Sequence, residues 1–332
     1  MSKAIDYQSP SHEINDVLFD VKLQPVYSSF RFPDTLFKQP IDSHKYKAIV
    51  NQQNGEIISI VGRNYRLITN SDALEMGKEL FSHIYPDVNT DKLIPYKVVA
   101  PASRASANID LIHKDVNFTM WKQESWLPFL RISNSYNRTQ ALSFEIGFVR
   151  ELCSNGVLFN KKSMKLKYIH SNSKALNLQV DAPRIKVVSE IFEKQCTQLR
   201  DFKLHPNLMF ALVCKIMNVN LELPDKKQRK KKLNYLENLN SIIKVLTAKY
   251  NREIGMSTYT ALNVVTDLVS HQNVYKNLTG YYFNVRSFYA RPTEWIEDFT
   301  KQIKGVNFEL KGYLNDTINS LDEMRKIGFY WN

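Results

Sequence analysis

The chain is short of the features that announce the commonest chemistries. Its 332 residues include three cysteines, Cys153, Cys196 and Cys214, far apart and without paired spacing. That argues against a disulfide scaffold and against a cysteine-based zinc signature, and a reducing compartment is the expectation. The seven histidines contain no H-x-x-x-H or H-x-H pair, so no metal site is read from the sequence. Glycine is scarce, at 10 residues, and forms neither G-x-x-x-x-G-K-[ST] nor G-x-G-x-x-G. An ATPase or a dinucleotide enzyme therefore has no support, and no cofactor is expected. No stretch reaches the roughly 18 apolar residues of a membrane span. Met1 to Pro10 is polar rather than an apolar leader, so no membrane is expected as partner. The expected location is the cytoplasm of a host cell, or a virion.

What is present is an ordinary folding composition with a lopsided charge. Hydrophobic residues make up 43% and charged residues 23%, which suits a folded core in one large domain or two modest ones. The net charge is +12. Residues 1 to 45 hold 5 basic and 6 acidic side chains, residues 46 to 160 hold 12 and 11, and residues 251 to 332 hold 9 and 9. Residues 161 to 250 hold 19 and 7, so the whole excess sits in one segment. Such asymmetry favours a polyanion as partner, most simply nucleic acid. The plainer reading is a solvated basic face with no ligand.

Hydrophobic periodicity gives the organisation. Residues 1 to 44 read as an N-terminal arm, with a short strand at Val21 to Tyr27 interrupted by Pro25. Strands are expected at Tyr46 to Val50 and Ile57 to Val61, joined by a turn whose Asn54-Gly55 pair tolerates positive φ. Tyr65 to Ile68 follows as a third, and Thr69 to Asp72 supplies caps for a helix through about Ser82. Further strands are expected at Tyr96 to Ala100, Ala107 to His113, Asn117 to Trp121, Trp126 to Ile132, Gln140 to Phe148, Met164 to His170 and Leu176 to Val180. Beyond Pro183 the period becomes helical, most clearly in the stripe Leu233, Leu236, Leu239, Ile243, Leu246 and Tyr250. The fold class is α+β, a twisted antiparallel sheet with helices packed on one face. The expected parts are the arm, a strand-rich core at 45–180, a helical part at 181–275 with a basic loop at 226–232, and a helical tail at 276–332.

Two groups of residues are candidates for contact with nucleic acid. Arg131, Asn134, Tyr136, Arg138 and Arg150 flank one presumed strand pair. Arginine can hold phosphates bidentately, and Tyr136 could support an unstacked base. The alternative is that these arginines pair with Glu145 or Glu151 and have no ligand. The second group is the run Lys226, Lys227, Arg229, Lys230, Lys231 and Lys232, joined by Lys161, Lys162, Lys165 and Lys167. Cys153, Ser154, Asn155 and Gly156 read as a structural turn rather than a nucleophile with its partners.

Three stretches carry a family resemblance. They are Asn54 through Arg66 with Asn70 and Ala73, Ile132 to Tyr136 running on to Phe148 through Gly156, and Thr260 to Asp267 ending at His271. The chain resembles the DUF932 family of phage- and plasmid-like proteins, with Arg150-x-x-Cys153-Ser154-Asn155-Gly156 the most specific segment. A looser similarity is to Rad52-like single-strand annealing proteins. The DUF932 family has no settled activity, so the functional expectation rests on the basic segment: a single-stranded DNA-binding or annealing protein of phage or plasmid recombination or replication, with which assembly into a homo-oligomer would be consistent. The alternatives are a structural or regulatory protein of a mobile element, within a virion in one form, and a metal-dependent nuclease using Asp110, Asp115, Glu145 and Glu151. The family brings no catalytic residues with it.

Overall fold

The computed structural model describes residues 13–31, 38–121, 124–151, 156–158, 165–168, 182–271, 291–305 and 307–331. The strands, in chain order, begin with β1 (Val21–Arg31), β2 (Lys38–Asn51) and β3 (Ile57–Gly62), followed by helix α1 (Asn70–Ile84). Next come β4 (Ile94–Val99), β5 (Ser106–Ile112), β6 (Phe118–Trp121), β7 (Glu124–Ser135), β8 (Leu142–Arg150), β9 (Gly156–Leu158) and β10 (Lys165–Tyr168). Helices α2 (Ala182–Asp201), α3 (Met209–Met217), α4 (Arg229–Ile254), α5 (Thr258–Ser270), α6 (Arg291–Gln302) and α7 (Leu310–Glu323) complete the chain. The fold is α+β, with antiparallel pairing throughout the described ladders and a helical C-terminal region. The expected strand at Leu176 to Val180 lies outside the described residues.

The chain forms two compact units, each assembled from separate segments. The first comprises Met1–Val116, Pro128–Ile146 and Lys161–Ile185. Its three-stranded sheet has the order β1-β2-β3, and the larger sheet the order β10-β8-β7-β5-β4. Pro25 does not end β1, because an edge strand has no ladder on its outer side that needs the missing N–H. A register shift follows between Pro25 and Tyr27. The three strands before α1 are therefore β1, β2 and β3, which corrects the expectation that Tyr65 to Ile68 would be the third. The chain turns out of the sheet after Gly62, where the Tyr65 N–H bonds the Gly62 carbonyl at 2.9 Å. The turn between β2 and β3 holds Gly55 at φ 74°, with its N–H on the Asn51 carbonyl. Asn54 is not among the residues of positive φ, so the turn uses the glycine alone.

Thr69 caps α1 through a reciprocal box with Asp72: the Asp72 N–H donates to Thr69 Oγ1, and the Thr69 N–H to Asp72 Oδ2. Gly77 on the buried side of α1 lies against the sheet, where a Cβ would come within 2.4 Å of Ile132 Cδ1. Phe19, Val21, Ile49, Val61, Tyr65 and Tyr136 form a core cluster in this unit.

The second unit comprises Asn117–Leu127, Gly147–Asn160 and Lys186–Asn332. Here the first residues of β7 pair with β6 and the last residues of β8 with β9. Phe192 of α2 packs edge-on against Trp126 and stacks on Phe148. Helix α3 is buried almost all round and stops where Asn218 adopts a left-handed conformation, φ 49°. Helix α5 is buried along nearly its whole length. The stripe expected on α4 is present: Leu236, Leu239, Ile243, Leu246 and Tyr250 are buried.

Candidate nucleic-acid interface

The basic run belongs to a helix start rather than to a loop. Lys226–Gln228 forms one 3-10 turn, closed by the Gln228 N–H on the Asp225 carbonyl, and α4 continues from Arg229. The expected loop at 226–232 is thereby corrected. The apolar stripe that begins near Leu233 carries the helix backwards through residues with good intrinsic helix propensity. Lys226, Lys227, Arg229, Lys230 and Lys231 are exposed. No acidic residue stands in the first turn of α4 and no side chain caps it. A helix N-terminus already carries a partial positive charge, so cations here raise the local potential instead of relieving it. Such an end attracts an anion.

Lys232 departs from its neighbours. It falls on the buried side of α4, and its Nζ donates to the Asn220 carbonyl at 2.5 Å and to Asn220 Oδ1 at 3.2 Å. Burial lowers its pKa. This lysine ties down the segment before the helix, and its role as a phosphate contact is withdrawn.

The arginine group is also mostly internal. Asp110 and Arg131 face each other directly across β5 and β7, and the guanidinium donates to both carboxylate oxygens at 2.7 Å. Asn134 is buried, with Nδ2 donating to the Ile68 carbonyl and to Asn70 Oδ1, both at 3.0 Å. Tyr136 is fully buried, its hydroxyl accepts the Asn70 N–H at 3.0 Å, and its ring meets Phe19 edge-on. Burial pushes the Tyr136 phenol up to about 12, so it is neutral at physiological pH. No base can stack on it.

Arg150 is fully buried in the second unit, at the centre of a polar cluster. It donates Nε and Nη2 to Glu124 at 2.7 and 2.9 Å, and Nη1 to Glu253 at 3.1 Å. Glu124 also accepts the Tyr259 hydroxyl at 2.5 Å and Trp126 Nε1 at 3.2 Å. Desolvation, with Cys196 and Glu124 close by, drives the Tyr259 phenol well above its ordinary value. Arg131 thus pairs with Asp110, and Arg150 with Glu124 and Glu253. For Arg131, Asn134, Tyr136 and Arg150 the surface role is corrected to an internal one. Arg138 alone of that group is exposed, in a turn at φ 61°.

The period-2 pattern carried a signal for this outcome. Arg150 continues the face of Leu142, Phe144, Ile146 and Phe148, and Asn134 and Tyr136 continue that of Leu130 and Ile132. Glu124 and Glu253 were missed because nothing local marks an acid whose partner lies 26 or 103 residues away.

Lys161, Lys162, Cys153, Ser154 and Asn155 lie outside the described residues. Lys165 and Lys167 pair as backbone with Glu145 and Ser143, and Gly156 opens β9 opposite Val149. Of the acids considered for a nuclease, Asp110 is committed to Arg131 and Asp115 binds Lys92 at 3.0 Å. Among the described residues no three His, Cys, Asp or Glu side chains are grouped to hold a metal, and no helix is long and apolar enough to cross a membrane.

No curated protein and no solved structure matches the chain. A family model does match, over residues 43–303, the domain of unknown function DUF932. That span covers more than three quarters of the sequence, and the chain belongs to this family.

Proposed function

We propose that this protein binds single-stranded nucleic acid, with single-stranded DNA of phage or plasmid recombination or replication as its substrate, and that it brings complementary strands together without catalysing a covalent step. The observation that carries the reading is the exposed set Lys226, Lys227, Arg229 and Lys230, with Lys231 exposed beside them, at a helix start whose first turn contains no acidic residue. Cations so placed attract phosphates, and binding releases the counterions condensed on the strand. The net charge of +12 adds long-range attraction. No side chain has to be deprotonated and no cofactor bound for this mechanism to work. Self-association is part of the proposal, since annealing needs two strands held near each other.

The test is binding of a labelled oligonucleotide across a salt series, followed by an annealing assay with complementary strands. The expected result is a logarithmic loss of affinity with salt, about 0.7 units per phosphate engaged on a single strand. Affinity indifferent to salt overturns the proposal. Tight binding with no acceleration of annealing reduces it to a coating protein.

A further inference from the structure

Resting on that reading, we infer that the open face of the β1-β2-β3 sheet is the platform on which bases of the single strand stack, with Tyr46 as its aromatic floor. One face of this sheet sends Leu23, Ile49 and Val61 into the core cluster. The other carries two cross-strand rows, Lys22–Val50–Ile57 and Gln24–Ala48–Ile60, and beyond them the pair Tyr46–Gly62. In that face Tyr46 is 52% exposed, Ile57 60% and Ile60 49%, while Lys22 and Gln24 are exposed as well. Only the small Ala48 is buried, at the centre of the face. A Cβ built on Gly62 would meet nothing within 4 Å, so the space beside the Tyr46 ring is open.

Charge decides which occupant fits. Lys22 stands in this face, whereas Lys45 and Lys47 alternate with Tyr46 and belong to the side of Ile49 and Val61; the acid of these strands is Asp42. Asp42 lies 3.7 Å from His44. Lys22 stands at one end of the apolar strip. At the other, the Arg63 N–H bonds the Lys45 carbonyl at 3.0 Å, which brings the exposed Arg63 to the Tyr46–Gly62 end of the strip. An apolar strip with a ring in it and cations at both ends matches a strand of nucleic acid, with bases on the floor and phosphates toward the rims. Stacking of this kind is tolerant of sequence, because every base presents a π-face. The platform also replaces Tyr136, whose buried ring cannot serve.

The experiment measures binding of labelled oligothymidylate to the full chain and to Tyr46→Ala, Tyr46→Trp and Lys22→Gln, each across a salt series, with sedimentation of every variant. Tyr46→Ala is expected to weaken binding by about tenfold at unchanged salt slope, the loss of one stacked base. Tyr46→Trp keeps or strengthens it, and Lys22→Gln lowers the slope by about 0.7. If the parent chain binds with a clear salt slope and Tyr46→Ala binds equally well, this inference falls while the proposed function stands. If the parent chain shows no salt-dependent binding, both fall. If Tyr46→Ala changes the oligomeric state and leaves affinity alone, the face is a contact between copies and the inference is overturned.

Discussion

Arg150 and Lys230 carry the same charge in the same unit, yet they stand in opposite physical situations. Arg150 is enclosed, donating to two carboxylates beneath the Tyr250 ring. Lys230 is in water at a helix end with no acid in its first turn. A buried charge is kept by its partners and lost with them, whereas an exposed one contributes little to folding and remains available for a ligand. Net charge alone does not separate the two, and the +12 of this chain includes both kinds.

The largest expected effect comes from opening the enclosed side of that comparison. Arg150→Ala leaves Glu124 buried beside Tyr259 and Trp126 without its counter-charge, and a loss of about 3–5 kcal/mol in unfolding free energy is expected by denaturant titration. Adding Glu124→Gln to Arg150→Ala removes the stranded charge and recovers part of the loss. A double variant no more stable than Arg150→Ala would show that packing around the guanidinium, rather than charge, holds this region.

Tyr136→Phe is the next in size. It leaves the buried Asn70 N–H without its acceptor, and a loss of about 1–2 kcal/mol is expected. The same hydroxyl makes stability depend on alkaline pH. Its folded value of about 12 lies above the ordinary 10.0, so the folded state favours the neutral phenol. The contribution is complete below pH 10 and fades as pH rises toward 12. Tyr65 is pushed up to about 12 as well and adds to the same window. In Tyr136→Phe the slope of stability against pH in that window is expected to be shallower than in the parent chain.

What the sequence made legible, and what it hid, follows the same division. Alternation located β7 and β8, and the Thr69–Asp72 box located the start of α1, because both signals are local. The strip on α4 was legible from its period, but its start was not. A run of lysines reads as a solvated loop until the helix behind it is seen to extend through it. Pro25 disguised β1, since only the pairing order tells that this strand is an edge. Arg131 was obscure for another reason: its partner is set by the register that puts Asp110 opposite, and register is a property of the sheet. The open face around Tyr46 was equally hidden, because burial of one face and exposure of the other depend on where Phe19 and Tyr136 pack.

Gly77 tests the packing on the first unit's side at smaller amplitude. An alanine there gains helix propensity of about 1 kcal/mol but presses its methyl into Ile132, and overpacking of this kind costs about 1–3 kcal/mol. A net loss of about 1 kcal/mol is expected for Gly77→Ala. Ile132→Val in the same chain removes the Cδ1 atom that the new methyl would meet, and the two changes together are expected to be less damaging than their sum.

The smallest expected effect on folding belongs to the exposed side, and it sharpens the comparison most. Replacing Lys226, Lys227, Arg229, Lys230 and Lys231 together by glutamine removes like charges from a positive helix end. The midpoint of thermal unfolding is therefore expected to stay level or rise slightly, opposite in sign to Arg150→Ala. Over the same five positions the salt slope for a single-stranded oligonucleotide is expected to shrink by up to about 3.5. Stability and binding then move independently, which is the behaviour of cations held in place by the fold without being needed by it. A large fall in the unfolding midpoint would place these residues with Arg150 as structural charges and remove the observation on which the nucleic-acid reading stands.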